Sequence, residues 1–179
     1  MVSRTVKVAF LLWFKKNNTH KLGWRVRAFF IICLNAKDLN LLLKIQAFFG
    51  GVGSIWVSKN NKVASYSITS PIDLINKIIP HFYKFPLISQ KASDFYLFKQ
   101  IVELMNNKVH LTDEGLKQII NIKDSMNLGL STIQKKEFPD FKAVDRPIIN
   151  TTNIPDPNWL AGFVSGDGCF FLKYHKREN

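Results

Sequence analysis

The chain has 179 residues, a formal net charge of +12 from 25 Lys and Arg against 13 Asp and Glu, and 46 % apolar residues. That composition supports one packed domain with a fragment of another, and it excludes a disordered chain. The longest apolar runs, 8–14 and 28–34, fall far short of the roughly 20 residues that cross a bilayer, so no membrane partner is expected. Cys33 and Cys169 are the two cysteines. They make no disulfide framework and no grouping with histidine that would suit zinc. A domain this basic points to a polyanion, nucleic acid first.

Residues 8–16 are β-branched and aromatic, which predicts a strand. Arg4 and Lys7 before the apolar run imitate a secretory signal, but Lys15 and Lys16 follow at once. Residues 20–23 turn the chain into a second strand, 24–34. Arg25 and Arg27 alternate there with Val26 and Ala28, so one face is cationic and the other apolar, until Phe29 and Ile31 make both faces apolar. Residues 35–49 carry leucines at helical spacing and end at Gly50, Gly51 and Gly53. Two further strands, 54–58 and 63–69, are joined by a turn holding Lys59 and Lys62. Ser65, Ser67 and Thr69 share one face of the second.

Pro71 suits the start of a helix over 72–79, and Pro80 is expected to end it. Residues 89–106 predict a strong helix. Thr112 caps another over 113–126, with acids in its first turn and Gly129 beyond its end. The order predicts an α+β fold: an antiparallel four-stranded sheet of two hairpins, covered by helices on one face. The other face, with Lys15, Arg25, Arg27, Ser65, Ser67 and Thr69, is left for a ligand. Four of the seven prolines fall in 139–157, which reads as an extended linker. Asp156 and Pro157 then open a helix as N-cap and first helical residue.

The most informative comparison is internal. Residues 8–16 align with 168–176 at an offset of 160, matching Phe10 with Phe170, Leu12 with Leu172 and Phe14 with Tyr174. The chain thus starts a second copy of its first unit. Taken alone, Ser165, Gly166, Asp167 and Gly168 fit a hairpin turn as well as a helix end bearing a metal-binding acid. Gly162 and Gly166, four apart, lie on one helix face, where a second helix can approach closely.

The run from Trp159 through Leu160, Ala161, Gly162, Phe163, Val164, Ser165, Gly166, Asp167 and Gly168 resembles the signature of the LAGLIDADG homing endonucleases. Tyr83 to Lys91, His110 to Thr112 and Met126 to Ser131 are similar to the first half of single-chain, two-repeat members encoded in fungal mitochondrial introns. The resemblance implies a lobe over 1–138, a linker over 139–156 and the start of a second repeat over 157–179. It implies an endonuclease cutting double-stranded DNA, with magnesium held by the acid of each motif helix, and a mitochondrial matrix setting. Here the implied metal ligands are Asp167, as catalytic residue, and Gly166 beside it. Gly162 and Gly166 become the helix-packing residues. The expected DNA contacts are Lys15, Lys16, Arg25, Arg27, Lys59, Lys62, Ser65, Ser67 and Thr69. At the same offset Lys7 stands opposite Asp167, and 1–6 do not resemble a motif helix. The expectation is therefore a truncated or degenerate copy that does not cut DNA by itself, acting as a monomer. Binding of intron RNA in support of splicing is the alternative.

Overall fold

The computed structural model describes residues 7–17, 19–60, 62–149, 154 and 156–167, with the side chains of Gly166 and Asp167 outside that set. Strand β1 (Lys7–Lys16) pairs antiparallel with β2 (Trp24–Asn35), and β3 (Ser54–Val57) with β4 (Val63–Ile68). The two hairpins join through β2 and β4, giving the order β1-β2-β4-β3. Gly23 (φ +68°) closes the first hairpin, where the Asn17 amide donates to its carbonyl at 2.8 Å.

Between the hairpins lies α1 (Leu39–Phe48), entered through a 3-10 turn whose Lys37 amide donates to the Asn35 side chain at 3.0 Å. Gly53 (φ +80°) follows it, pressed so close to β4 that an added Cβ would stand 2.6 Å from the Ser67 carbonyl oxygen. Next come α2 (Pro71–Asp73), a π-helical stretch (Leu74–Ile78) and α3 (Ile79–Lys84) as one continuous run. Pro80 does not end the helix as its sequence predicts. The π stretch widens the turn, and the Ile79 amide reaches back five residues to the Leu74 carbonyl. A proline without an N–H, whose ring needs the preceding turn opened, is accommodated there.

Helix α4 (Gln90–Asn106) lies on the sheet, and α5 (Asp113–Asp124) packs on α4. The core sits between sheet and helices. Phe10 is 1 % exposed and touches the rings of Phe30, Phe82, Phe95 and Phe98 at centroid distances of 5.2–5.7 Å. The short α6 (Thr132–Glu137) carries a capping box between Ser131 and Gln134 that the sequence reading did not single out.

The segment from 139 to 149 has no regular structure, as its prolines predict. It is nonetheless strapped to the lobe. The Lys142 amide donates to Asn121 Oδ1 at 2.8 Å, the Ser125 hydroxyl to the Val144 carbonyl, and the Ser93 hydroxyl to the Pro147 carbonyl at 2.7 Å. The Arg146 guanidinium donates to Asp94 at 2.8 Å, to the Ser125 carbonyl at 2.7 Å and to the Gln90 carbonyl at 3.1 Å. Asp94, 5 % exposed, also accepts from the Asn127 amide at 2.9 Å, and the Asn127 side chain donates to the Phe10 carbonyl. The buried polar side chains of α4, Ser93 and Asp94, thus take partners from this segment.

Helix α7 (Pro157–Asp167) opens as predicted, with the Asn158 amide on Asp156 Oδ1 at 2.6 Å. The strand expected over 168–176 lies outside the described residues. Among the described residues no helix is long and apolar enough to cross a membrane.

Candidate nucleic-acid interface

Strand alternation divides the sheet cleanly. Val8, Phe10, Leu12, Ala28, Phe30, Ile32, Ala64, Tyr66 and Ile68 face the core. The register sets the opposite face in rows: Lys15 beside Arg25; Trp13 beside Arg27; Leu11 beside Phe29; Ala9, Ile31, Ser67 and Ser54; then Lys7, Cys33, Ser65 and Trp56. One end of this face is cationic and the middle apolar, and the far rows mix Ser54, Ser65 and Ser67 with Cys33, Trp56 and Lys7. None of the four strands contains an Asp or Glu.

At the cationic end the Lys15 ammonium lies 5.9 Å from the Trp13 ring centre. Arg25 and Arg27 line a hollow of about 420 Å³ together with His20, Lys21, Thr69 and His110. Thr69 lies just beyond β4 and is exposed. His110 Nδ1 is buried with no hydrogen-bond partner, and burial lowers the imidazole's pKa from its ordinary value. Leu22, Trp24, Val26, Pro71, Met105 and Leu111 make the rest of its wall, so the hollow reaches round the edge of β2 to the helix side, with Lys21, Arg25 and Arg27 as its cations and no acidic side chain among its described lining residues. At the far end the Cys33 thiol and the Ser65 hydroxyl share a hydrogen bond of 3.3 Å. Lys59 and Lys62 stand exposed in the β3–β4 turn, which Ser58 ties through the amides of Lys62 and Val63.

Lys16 is the exception among the expected contacts. It stands opposite Trp24 on the helix side of the sheet, and its ammonium pairs with Glu137 at 3.0 Å. Adjacent strand residues point to opposite faces, so Lys15 and Lys16 cannot both meet one ligand. The sequence reading also left out Leu11, Trp13 and Trp56, which are 42 %, 41 % and 60 % exposed on the ligand face. For Leu11 and Trp13 the period-two spacing with Lys15 on the same strand carried that information. An exposed apolar sheet face of this kind marks an interaction surface.

In α7 the rings of Trp159 and Phe163 stack at 5.4 Å, and an added Cβ on Gly162 would meet nothing within 4 Å. The role expected for Asp167 rests on a side chain outside the described set, and nothing described tests that of Gly166.

Residues 9–102 match the family model described as LAGLIDADG endonuclease. The chain belongs to the LAGLIDADG endonuclease family. It is 52 % identical, over 88 % of its length, to the probable intron-encoded endonuclease 3 of Neurospora crassa, of which it covers 30 %. It is 38 % identical, over 58 % of its length, to a 50.9 kDa protein in ND4 intron 1 of Podospora anserina, of which it covers 23 %. The solved LAGLIDADG homing endonuclease I-SmaMI, bound to cleaved DNA, superposes with a TM-score of 0.85 at 45 % identity, over 89 % of this chain and 53 % of that one. The chain thus spans about a quarter to a third of these two curated relatives and about half of the solved enzyme. Both relatives are named for introns, one of them for ND4 intron 1.

LAGLIDADG endonucleases are metal-dependent, and I-SmaMI has been solved on uncleaved DNA in the presence of calcium ions. The acid implied for such a centre, Asp167, has its side chain outside the described residues. No three His, Cys, Asp or Glu side chains converge among them. β1 begins with Lys7, a cation, where the repeat sets the counterpart of Asp167.

Proposed function

We propose that this chain is the DNA-contacting lobe of an intron-encoded homing endonuclease of the mitochondrial matrix, bound as a monomer with its open sheet face in the major groove of duplex DNA. The carrying observation is that face: exposed, free of acids in all four strands, and cationic at one end. A two-stranded ribbon from such a face can enter a major groove. Arg25 and Arg27 are then base or phosphate contacts, Lys15, Lys59 and Lys62 phosphate contacts, and Ser65, Ser67 and Thr69 polar readers. The apolar row of Leu11 and Phe29 faces thymine methyl groups, the apolar feature of that groove. Strand cleavage by the full-length protein would use Asp167 with magnesium and a second acid that the described residues do not supply.

Two measurements test this reading. Arg25→Ala and Arg27→Ala should each weaken binding of the duplex insertion site by about 1–3 kcal/mol where the contact is bidentate, and relax preference at one base pair. Unchanged affinity in both variants would remove β2 from the interface, and tighter binding of the intron RNA than of the duplex would favour a splicing role. In the second, the 179-residue chain is incubated with magnesium and a plasmid carrying the intron-free site, and the plasmid should stay uncut. Site-specific breaks that vanish in Asp167→Ala would show a complete active centre.

A further inference from the structure

A second surface, on the other side of the sheet, has a different chemistry. The end of α1 meets α3 around His81, whose imidazole contacts the rings of Phe48, Phe49, Phe82 and Phe85 at 5.0–5.5 Å. Phe49 is part of the core and stacks on Tyr66, a core-facing residue of β4, so this cluster lies opposite the interface described above. Phe48 and Phe85 nevertheless point outward, 68 % and 54 % exposed. Between them is a hollow of about 360 Å³ that Lys77 and Lys84 also line, with no acidic side chain among its described lining residues. The Lys84 ammonium sits 5.5 Å from the Phe85 ring centre. The Lys77 ammonium lies 3.5 Å from where a Cβ on Gly50 would stand.

Packing does not call for these outward rings. Phe49, one residue on from Phe48, already fills the core position, and solvent-facing helix positions ordinarily carry polar side chains. Near-perpendicular contacts of the Phe48 ring with Phe49 and His81 hold it in place while most of the residue stays in water. Fixed aromatic rings between two lysines, without acids, have the chemistry that receives unpaired bases on a phosphate backbone. A duplex keeps its base faces stacked inside and offers nothing to such rings. An ordinary protein-docking surface would be depleted of lysine, whereas this one is flanked by two.

We propose that this patch is a second nucleic-acid site, specific for single strands, in which Phe48 and Phe85 stack successive bases and Lys77 and Lys84 hold the flanking phosphates. It leaves the sheet face free, so single strand and duplex bind together. The inference stands on its own residues and is independent of the function proposed for the sheet.

The test uses the whole chain and fluorescein-labelled 12-nucleotide RNA and DNA strands of one unstructured sequence, with and without saturating duplex. Both strands should bind in the presence of duplex, and a preference between them identifies the natural source. Phe48→Ala and Phe85→Ala should each weaken single-strand binding about 5- to 100-fold, the range of one lost base stack, and leave duplex affinity within about twofold. Phe48→Trp should retain binding. Complete displacement by duplex would overturn the proposal, as would single-strand affinity unmoved by both alanine variants in chains whose thermal unfolding is unchanged. Self-association abolished by Phe48→Asp, without oligonucleotide binding, would assign the patch to a second copy of the chain instead.

Discussion

Asp94→Ala is expected to destabilise the lobe by about 3–5 kcal/mol, the scale for breaking a buried ion pair from one side. Asp94 is 5 % exposed and takes two donors, the Arg146 guanidinium at 2.8 Å and the Asn127 amide at 2.9 Å. Removing it leaves the Asn127 amide without its acceptor, and it leaves Arg146, two-thirds shielded from water, with only the Ser125 and Gln90 carbonyls and no countercharge. Set against a total stability of about 5–15 kcal/mol, that loss shows directly as a lower denaturation midpoint with an unchanged slope. Asp94→Asn keeps an acceptor for Asn127 and should cost less. Arg146→Ala releases the strap from the other side, so tryptic cleavage after Lys142 should accelerate while the core remains folded. If that cleavage rate does not change, the strap is held by the Ser93, Ser125 and Asn121 hydrogen bonds instead.

The strap also shows where sequence reading stops. The strands, the cap at Thr112 and the helix opened by Asp156 and Pro157 were legible because local chemistry decides them. Alternation, a side-chain oxygen before a helix and a proline at its first turn act within a few residues. Pro80 does not end the helix because a π-helical turn accommodates it, and no residue type beside the proline signals that turn. The strap looked like a tether because its partners, Asp94, Asn121 and Ser125, lie some 20 to 50 residues away in sequence. In the interface the cationic end was legible from Arg25 and Arg27. Trp56 was not, because its place on the ligand face follows from its register opposite Ser65. The charge of Lys16 is visible in sequence, and its partner Glu137, 121 residues on, is not.

Duplex affinity should fall by about a thousandfold between 50 and 200 mM salt, the loss associated with about six phosphate contacts. Six cations of the face and its β3–β4 turn would supply that number if both arginines meet phosphates. Lys7 and Lys15 stand on the ligand face of β1, Arg25 and Arg27 on that of β2, and Lys59 and Lys62 in the β3–β4 turn. The strands supply no acid to offset them. Lys16 does not count, being neutralised by Glu137 on the other side. Fluorescence anisotropy across a salt series measures the slope of log affinity against log salt, which should lie near −5 for any duplex sequence. Lys59→Ala and Lys62→Ala should each make it shallower by about one, and Lys16→Ala should leave it where it is. The apolar rows make the opposite demand. Contacts of Leu11, Trp13 and Phe29 with base edges release no counterions, so they add affinity that salt does not weaken. A slope near zero would mean that these residues, and not the six cations, hold the DNA, and the face would then be an apolar docking surface that happens to be rimmed with charge.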